Sequence, residues 1–268
     1  MIHNTFLFKG KKINYQDEGQ GDNALVLLHG FMGTLDFWAS FVFSYMRENM
    51  RVIAVDLIGH GESEAVGDVF TMELQADMLK ALLDHVGVTR CVMVGHSMGG
   101  YITLSFAEKY PFYLRGFGLI HSQALADTAQ GKINRERMCN AIVENRSGFI
   151  VQFMHELFAP CNRERLNSEI QDSKNIALEM NEHCIIAAQK GMIARPSRVH
   201  VLKDSGLPVL FIYGKQDPCI PIDTAMAQAM IPKHSEILLL DNVGHMSPLE
   251  ARDIVKEKLR YFLRVCNL

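Results

Sequence analysis

The chain of 268 residues contains no apolar run approaching the ~18 residues of a membrane-spanning helix. Its start, Met1-Ile2-His3-Asn4-Thr5-Phe6, has neither the positively charged nor the apolar segment of a secretory signal. A cytoplasmic location without a membrane partner is therefore expected. Six cysteines (Cys91, Cys139, Cys161, Cys184, Cys219 and Cys266) are present, but no C-x-x-C pair. That scatter argues against a disulfide framework or a zinc knuckle and for reduced thiols. Eleven histidines occur without an H-E-x-x-H or comparable ligand spacing, so no metal site is expected. Excess positive charge is also missing: 27 Lys and Arg stand against 30 Asp and Glu, a formal charge of -3, which offers no basic stripe to nucleic acid. No internal repeat or low-complexity tract interrupts the chain.

What is present is the composition of a folded enzyme, 48% hydrophobic and 21% charged, in a length that suits one α/β unit with an insertion and leaves both monomer and homodimer open. Residues 5–17 read as two short strands around the turn Lys9-Gly10-Lys11, an antiparallel hairpin. Short runs rich in Val, Ile and Leu then recur: Ala24 to Leu28, Arg51 to Val55, Cys91 to Val94, Gly116 to Ile120, Val209 to Tyr213 and Glu236 to Leu240. Continuous apolar runs of this length predict strands buried on both faces. Helical periodicity fills Thr71 to Val86, Met98 to Tyr110, Asp223 to Met230 and Pro248 to Val265. Strand and helix alternate, which implies a mainly parallel sheet with helices on both faces and a ligand site at the carboxyl ends of the strands. Residues 122–205 break the alternation. They are helix-prone and poor in strand signals, so residues 1–121 and 206–268 are assigned to an α/β core and 122–205 to a helical lid. In that insertion Arg135-Glu136-Arg137 and Arg163-Glu164-Arg165 predict exposed helix faces. Phe149, Ile150, Phe153, Met154, Leu157 and Phe158 form an apolar stripe that packs on the core, covers a pocket, or does both.

Chemistry is concentrated at the ends of the strand-like runs. Val92-Met93-Val94-Gly95-His96-Ser97-Met98-Gly99-Gly100 carries a G-x-S-x-G pentapeptide between a strand and a helix, where a sharp turn exposes the serine hydroxyl. Ser97 is the candidate nucleophile. Asp217 follows Val209 to Tyr213 in Gly214-Lys215-Gln216-Asp217, and His245 follows Glu236 to Leu240 in Asp241-Asn242-Val243-Gly244-His245. A base and an acid that orients it complete the nucleophile's needs, and both stand just past later strands. His121 also ends a strand but has no carboxylate at a matching strand end. His96 is read as a packed histidine turned away, Asp241 as an alternative orienting acid, and Asp223 as a helix N-cap. The amides of Met98 and of Phe31, in His29-Gly30-Phe31-Met32-Gly33, are the candidate oxyanion donors. Met32, Trp38, His121, Phe153 and Met246 are candidate pocket residues, in a pocket expected to be largely apolar.

These motifs together resemble the α/β-hydrolase superfamily: the His29-Gly30-Phe31 loop, Trp38, Asp56-Leu57-Ile58-Gly59-His60-Gly61-Glu62-Ser63, the Gly95 to Gly100 elbow, Gly214-x-x-Asp217 and Gly244-His245. The resemblance implies an eight-stranded, mostly parallel sheet with the triad at its carboxyl edge and a helical cap after the sixth strand. It makes the Asp56 to Ser63 run structural. A serine at the nucleophile position, where the family's epoxide hydrolases and haloalkane dehalogenases need a carboxylate, implies hydrolysis of small or medium esters through an acyl-serine, without a cofactor. Related families use the same triad for carbon-carbon cleavage, for a lyase step in menaquinone biosynthesis or for making peracids, and some members are small-ligand receptors. The menaquinone enzymes usually carry arginine where this sequence has Tyr101.

Overall fold

The apolar runs form strands, and their two faces enter different clusters of side chains. In the computed structural model, which describes residues 3–39 and 50–268, the strands are β1 (Asn4–Phe8), β2 (Lys11–Glu18), β3 (Asn23–Leu28), β4 (Arg51–Val55), β5 (Arg90–His96), β6 (Leu114–Ile120), β7 (Val209–Gly214) and β8 (Ser235–Leu240). They make one sheet in the order β1-β2-β4-β3-β5-β6-β7-β8. β1 pairs antiparallel with β2 and β2 with β4, and every other pairing is parallel. On β3, Ala24, Val26 and Leu28 pack into one core while Leu25 and Leu27 pack into the other. β7 divides in the same way, with Phe211 and Tyr213 opposite Leu210 and Ile212. A strand covered on both faces cannot alternate apolar with polar residues, which is why these runs are continuous.

The helices among the described residues are α1 (Asp36–Trp38), α2 (Met72–His85), α3 (Met98–Lys109), α4 (Ala129–Glu156), α5 (Asn167–Glu179), α6 (Glu182–Ala194), α7 (Val199–Asp204), α8 (Ile222–Ala229), α9 (Ser247–Glu250) and α10 (Arg252–Val265). α2 begins where the Thr71 hydroxyl accepts the Leu74 N–H at 3.1 Å. α4 to α7 occupy the stretch between β6 and β7, and α4 breaks at Asn145 (φ -153°, ψ 76°), whose side chain accepts the Gly148 N–H and restarts the helix. Two expectations are corrected. Pro248 to Val265 is not one helix, because Ala251 (φ -136°, ψ 45°) separates α9 from α10 and lets Glu250 turn back onto the loop before it. Asp223 is not an N-cap: Pro221 precedes α8, and Asp223 lies inside its first turn. No helix among the described residues is long and apolar enough to cross a membrane, and the six cysteines are unpaired.

Buried polar groups pin the loops that follow β3 and β4. Asp56 accepts N–H groups from Leu35 and Glu62 and from the Asn14 amide, and the Ser63 hydroxyl donates to the Asp56 carbonyl. The His29 ring donates from Nδ1 to Gly30 O at 2.8 Å and accepts the Leu57 N–H at 3.0 Å, so it serves the fold only when neutral. Burial pushes His29 down to about 4, and burial together with the charge of His29 pushes His60 down to about 3. A base whose folded value lies below its unfolded value of about 6.5 contributes its full stability above pH 6.5 and loses it as the pH falls toward 4 and then 3. Between pH 7 and pH 5 each of the two should therefore remove about 2 kcal/mol from the unfolding free energy. Urea midpoints that coincide at the two pH values would contradict this.

Candidate active site

The elbow after β5 is built by contacts that only hydrogen-sized side chains permit. A Cβ on Gly95 would sit 2.2 Å from the Gly99 carbonyl group, and one on Gly99 would sit 2.7 Å from the carbonyl oxygens of Leu28 and His29. Between them Ser97 adopts φ 52°, ψ -116°, a conformation that side-chain-bearing residues rarely hold. Its N–H donates to Ile120 O at 2.8 Å, and its carbonyl accepts the Ser122 hydroxyl at 2.8 Å, so β6 holds the turn from the next strand. Ser97 opens α3 and borders the cavity described below. The Gly30-Phe31 loop passes directly alongside: a Cβ on Gly30 would lie 3.2 Å from Ser97 Cβ and 2.7 Å from His96 Nδ1. Met98, at the first position of α3, has a backbone N–H without an acceptor inside the helix.

Asp217 and His245 meet although 28 residues separate them. β7 and β8 run parallel in register, Gly214 opposite Leu240, which brings the loops after both strands to one edge. His245 Nδ1 lies 2.9 Å from each Asp217 oxygen, and the side chains are 4% and 1% exposed. The His245 loop is fastened by Glu250, whose carboxylate accepts the N–H groups of Gly244 and Met246, and by the His245 N–H donating to Leu157 O at 2.7 Å. The same carboxylate accepts from Ala159 and Asn162, so one buried side chain joins the end of α4 to the loop that carries His245. Burial alone would raise the Asp217 carboxyl. The charge of His245 and the hydrogen bonds from His121 and His245 outweigh that effect and hold it well below the usual carboxylate range. Ser97 Oγ makes no hydrogen bond among the described residues, and nucleophile–base contacts commonly tighten only around substrate.

A cavity of about 880 Å³ opens at these residues, bordered by Ser97, His245 and the Gly30-Phe31 loop. Met32, Phe153 and Met246 line it. The Phe153 ring stands edge-on to Phe31 at 6.3 Å, tying the apolar stripe of α4 to the loop beside Ser97. The stripe does both things open to it: Ile150 and Phe158 are buried in packing, while Phe153, Met154 and Leu157 face the cavity.

Several expectations are overturned. Trp38 is not a pocket residue; it is fully buried in the core beneath the sheet, and the turn of α1 sends Phe37 to the cavity in its place. Successive residues on a helix point about 100° apart, so the two neighbours face different ways. His121 is not a pocket residue either: it is fully buried, outside the cavity wall, with Nδ1 2.8 Å from Asp217 Oδ2. It thus has the carboxylate partner denied it above. His96 is not turned away, since its ring lies 5.1 Å from that of His245 and its Nε2 donates to His245 O at 2.8 Å. Asp241 is an exposed partner of Lys215, away from the site. The Met98 side chain belongs to the core. The cavity lining is more apolar than polar, as expected, but it carries a polar side as well. Gln123, Asn134, Arg135 and Gln189 form a polar wall, and Arg135, expected on an exposed face, bonds Asp127 at 2.6 Å and Gln189 at 3.1 Å. No local signal marked Arg135 as inward, because its partners come from α6 and the loop before α4. Among the described residues, His121, Asp217 and His245 are also the one set whose ligand-type atoms lie close enough, within 4.8 Å, to share a metal ion; here both Nδ1 atoms are aimed at the carboxylate.

Comparison with known proteins points the same way. A relative from Pseudomonas putida, the dihydrolipoyllysine-residue acetyltransferase component of an acetoin cleaving system, is 31% identical over 250 residues, which are 92% of this chain and 65% of that protein. A 2-hydroxy-6-oxononadienedioate/2-hydroxy-6-oxononatrienedioate hydrolase from Paraburkholderia phymatum is 27% identical over 263 residues, 94% of this chain and 91% of its own. The solved structure of a thermophilic esterase from Thermogutta terrifontis superposes with a TM-score of 0.91 at 28% identity, covering 100% of both chains. With the family model of the alpha/beta hydrolase fold matching residues 23–251, this chain belongs to the α/β hydrolases and is a hydrolase.

Proposed function

We propose that the enzyme cleaves carboxylic esters through an acyl-serine. The observation that carries this reading is the buried Asp217–His245 pair on the edge of the cavity that also exposes Ser97. Ser97 Oγ attacks the ester carbon while His245 Nε2 takes its proton. Asp217 holds the His245 proton on Nδ1 and stabilises the imidazolium. The Phe31 and Met98 amides receive the oxyanion, His245 returns the proton to the leaving alcohol, and water reverses the sequence to release the acid. Residues 122–205 act as a cap in this reading, with Phe153 of α4 shaping the acyl or alcohol side together with Met32 and Met246. The nearby thermophilic esterase supports the choice of ester.

A second reading, cleavage of a carbon-carbon bond, is favoured by the polar wall at Arg135 and Gln189, which suits an oxygen-rich substrate such as the dioates named for the Paraburkholderia relative. A panel of nitrophenyl and alkyl esters varied separately in acyl and alcohol parts, run beside ring-fission diketones, tests the two readings. Esters should turn over repeatedly. Faster turnover of the diketones would reverse the order of the readings. A serine-directed sulfonyl fluoride should label Ser97 alone, and a label on any other residue would overturn the mechanism.

A further inference from the structure

The acyl-transfer steps above give no part to His121, the buried imidazole bonded to the orienting acid. We propose that His121 is a positioning residue, the second N–H donor on Asp217, which sets the carboxylate's orientation and its share of charge toward His245. The proposal rests on the reading of Ser97, His245 and Asp217 as an acyl-transfer triad.

The backbone is shaped for the contact. His121 follows the last residue of β6 with φ 49°, in the left-handed region that residues other than glycine seldom occupy, and its N–H donates to Ile212 O of β7 at 2.9 Å. That turn points the ring at the loop after β7. The tautomer follows from its partners. The Ser247 N–H donates to His121 Nε2 at 3.3 Å, so that nitrogen is bare and the ring proton sits on Nδ1, donated to Asp217 Oδ2 at 2.8 Å. A cationic ring would face the Ser247 N–H with a second donor. Burial in addition lowers the basicity of His121 against the pull of Asp217, keeping the ring neutral.

Asp217 consequently has a full set of donors. Oδ1 accepts from the amides of Cys219 at 2.7 Å and Ile220 at 3.1 Å, and Oδ2 accepts from His121, with His245 Nδ1 equidistant from the two oxygens at 2.9 Å. The donors on Oδ1 and Oδ2 balance each other across the carboxylate. Without His121 the Oδ2 side keeps only its share of the His245 bond, and the group is free to rotate toward the backbone amides and draw His245 with it. More of its charge also falls on His245 alone. Because Ser247 lies two residues beyond His245, the ring bridges the acid's partner and the base's own loop. The titratable groups around the pair are His96 from β5, His121 and Asp217 against the His245 ring, Cys219 beside Asp217, and Glu250 of α9 beside His121.

Three substitutions separate orientation of the acid from simple bracing. Asn presents an amide N–H near the position of Nδ1 and preserves the Asp217 bond. Gln presents an oxygen near Nε2 and preserves only the Ser247 bond. Ala removes both. Expected are a fall in kcat of about ten- to a hundredfold for His121→Ala and His121→Gln with KM moved less than about twofold, and His121→Asn within about threefold of the parent. The acid limb of the kcat/KM profile should move to higher pH in the Ala and Gln variants and return in Asn. Proton NMR of the untreated protein should show downfield imidazole N–H resonances from the buried histidines, among them those of His121 and His245 bonded to Asp217; the His121 resonance disappears in His121→Ala while the His245 resonance shifts. That spectrum needs no substrate, so it decides the contact even if the sulfonyl fluoride labelling removes Ser97 as nucleophile. Activity restored by Gln and not by Asn, or kinetics and spectra unchanged in all three variants, would overturn the proposal. If His121→Ala does not fold, the comparison of Asn with Gln decides it.

Discussion

Ser97→Ala is expected to lower kcat for ester hydrolysis by about a millionfold, equivalent to about 8 kcal/mol of barrier, because without the hydroxyl no acyl-enzyme forms and the rest of the triad has nothing to activate. The residual rate should lie some 10³ to 10⁴ above that in water, supplied by binding and by the oxyanion amides. Stability should hardly change. The Ser97 hydroxyl makes no hydrogen bond among the described residues, and alanine meets the same backbone angles, φ 52° and ψ -116°, that serine already tolerates. Steady-state kinetics paired with a thermal melt checks both halves. A variant retaining more than about 1% of kcat with an intact fold would show that another group performs the chemistry.

Asp217→Asn is expected to remove about 10⁴ in kcat and, unlike the serine change, to weaken the fold. The carboxylate is surrounded by donors: two histidine Nδ1 atoms and the amides of Cys219 and Ile220. Asparagine brings an NH₂ into that ring of donors, so either a histidine adopts the tautomer with its proton on the wrong nitrogen or a buried N–H loses its acceptor. An unsatisfied buried polar group carries a penalty of about 1–3 kcal/mol, which sets the expected loss in unfolding free energy. Because the Asp217 carboxyl sits below the usual range, its contribution persists above the unfolded value of about 4 and fades only as the pH falls below that. It therefore adds little slope between pH 5 and pH 7, where buried histidines held below their usual range, His29, His60 and His96, set the slope. Urea unfolding at pH 7 and turnover of the best ester give the two numbers, and full stability with full activity would exclude the assigned role.

The readable parts of this protein were those that local chemistry dictates. Buried parallel strands need unbroken apolar runs, so β3, β5 and β7 were visible as Ala24 to Leu28, Cys91 to Val94 and Val209 to Tyr213. The elbow needs Gly95 and Gly99 because backbone approaches within 3 Å of where a Cβ would stand. Asp217 and His245 stood out by following strands. What local pattern did not carry was the company each side chain keeps. Trp38 and Phe37 are adjacent in sequence, yet one faces the core and the other the cavity. Arg135 looked solvent-facing among charged neighbours, and its partners Asp127 and Gln189 lie 8 and 54 residues away.

His121 shows the division most clearly. From the sequence it was a histidine at a strand end with no carboxylate near, and Asp217 lies 96 residues further on. By itself the sequence determined which groups this hydrolase possesses: a serine on a glycine-flanked turn, an acid and a base on later strand ends, and no framework of disulfides or close metal-ligand spacing. These follow from residue type and short spacing. Only the tertiary structure decided that β6 lies beside β7 and β7 beside β8, so that His121 and His245 close on one carboxylate. Strand order is set by the summed packing of both sheet faces, to which every apolar run contributes alike, and no single run states its neighbour.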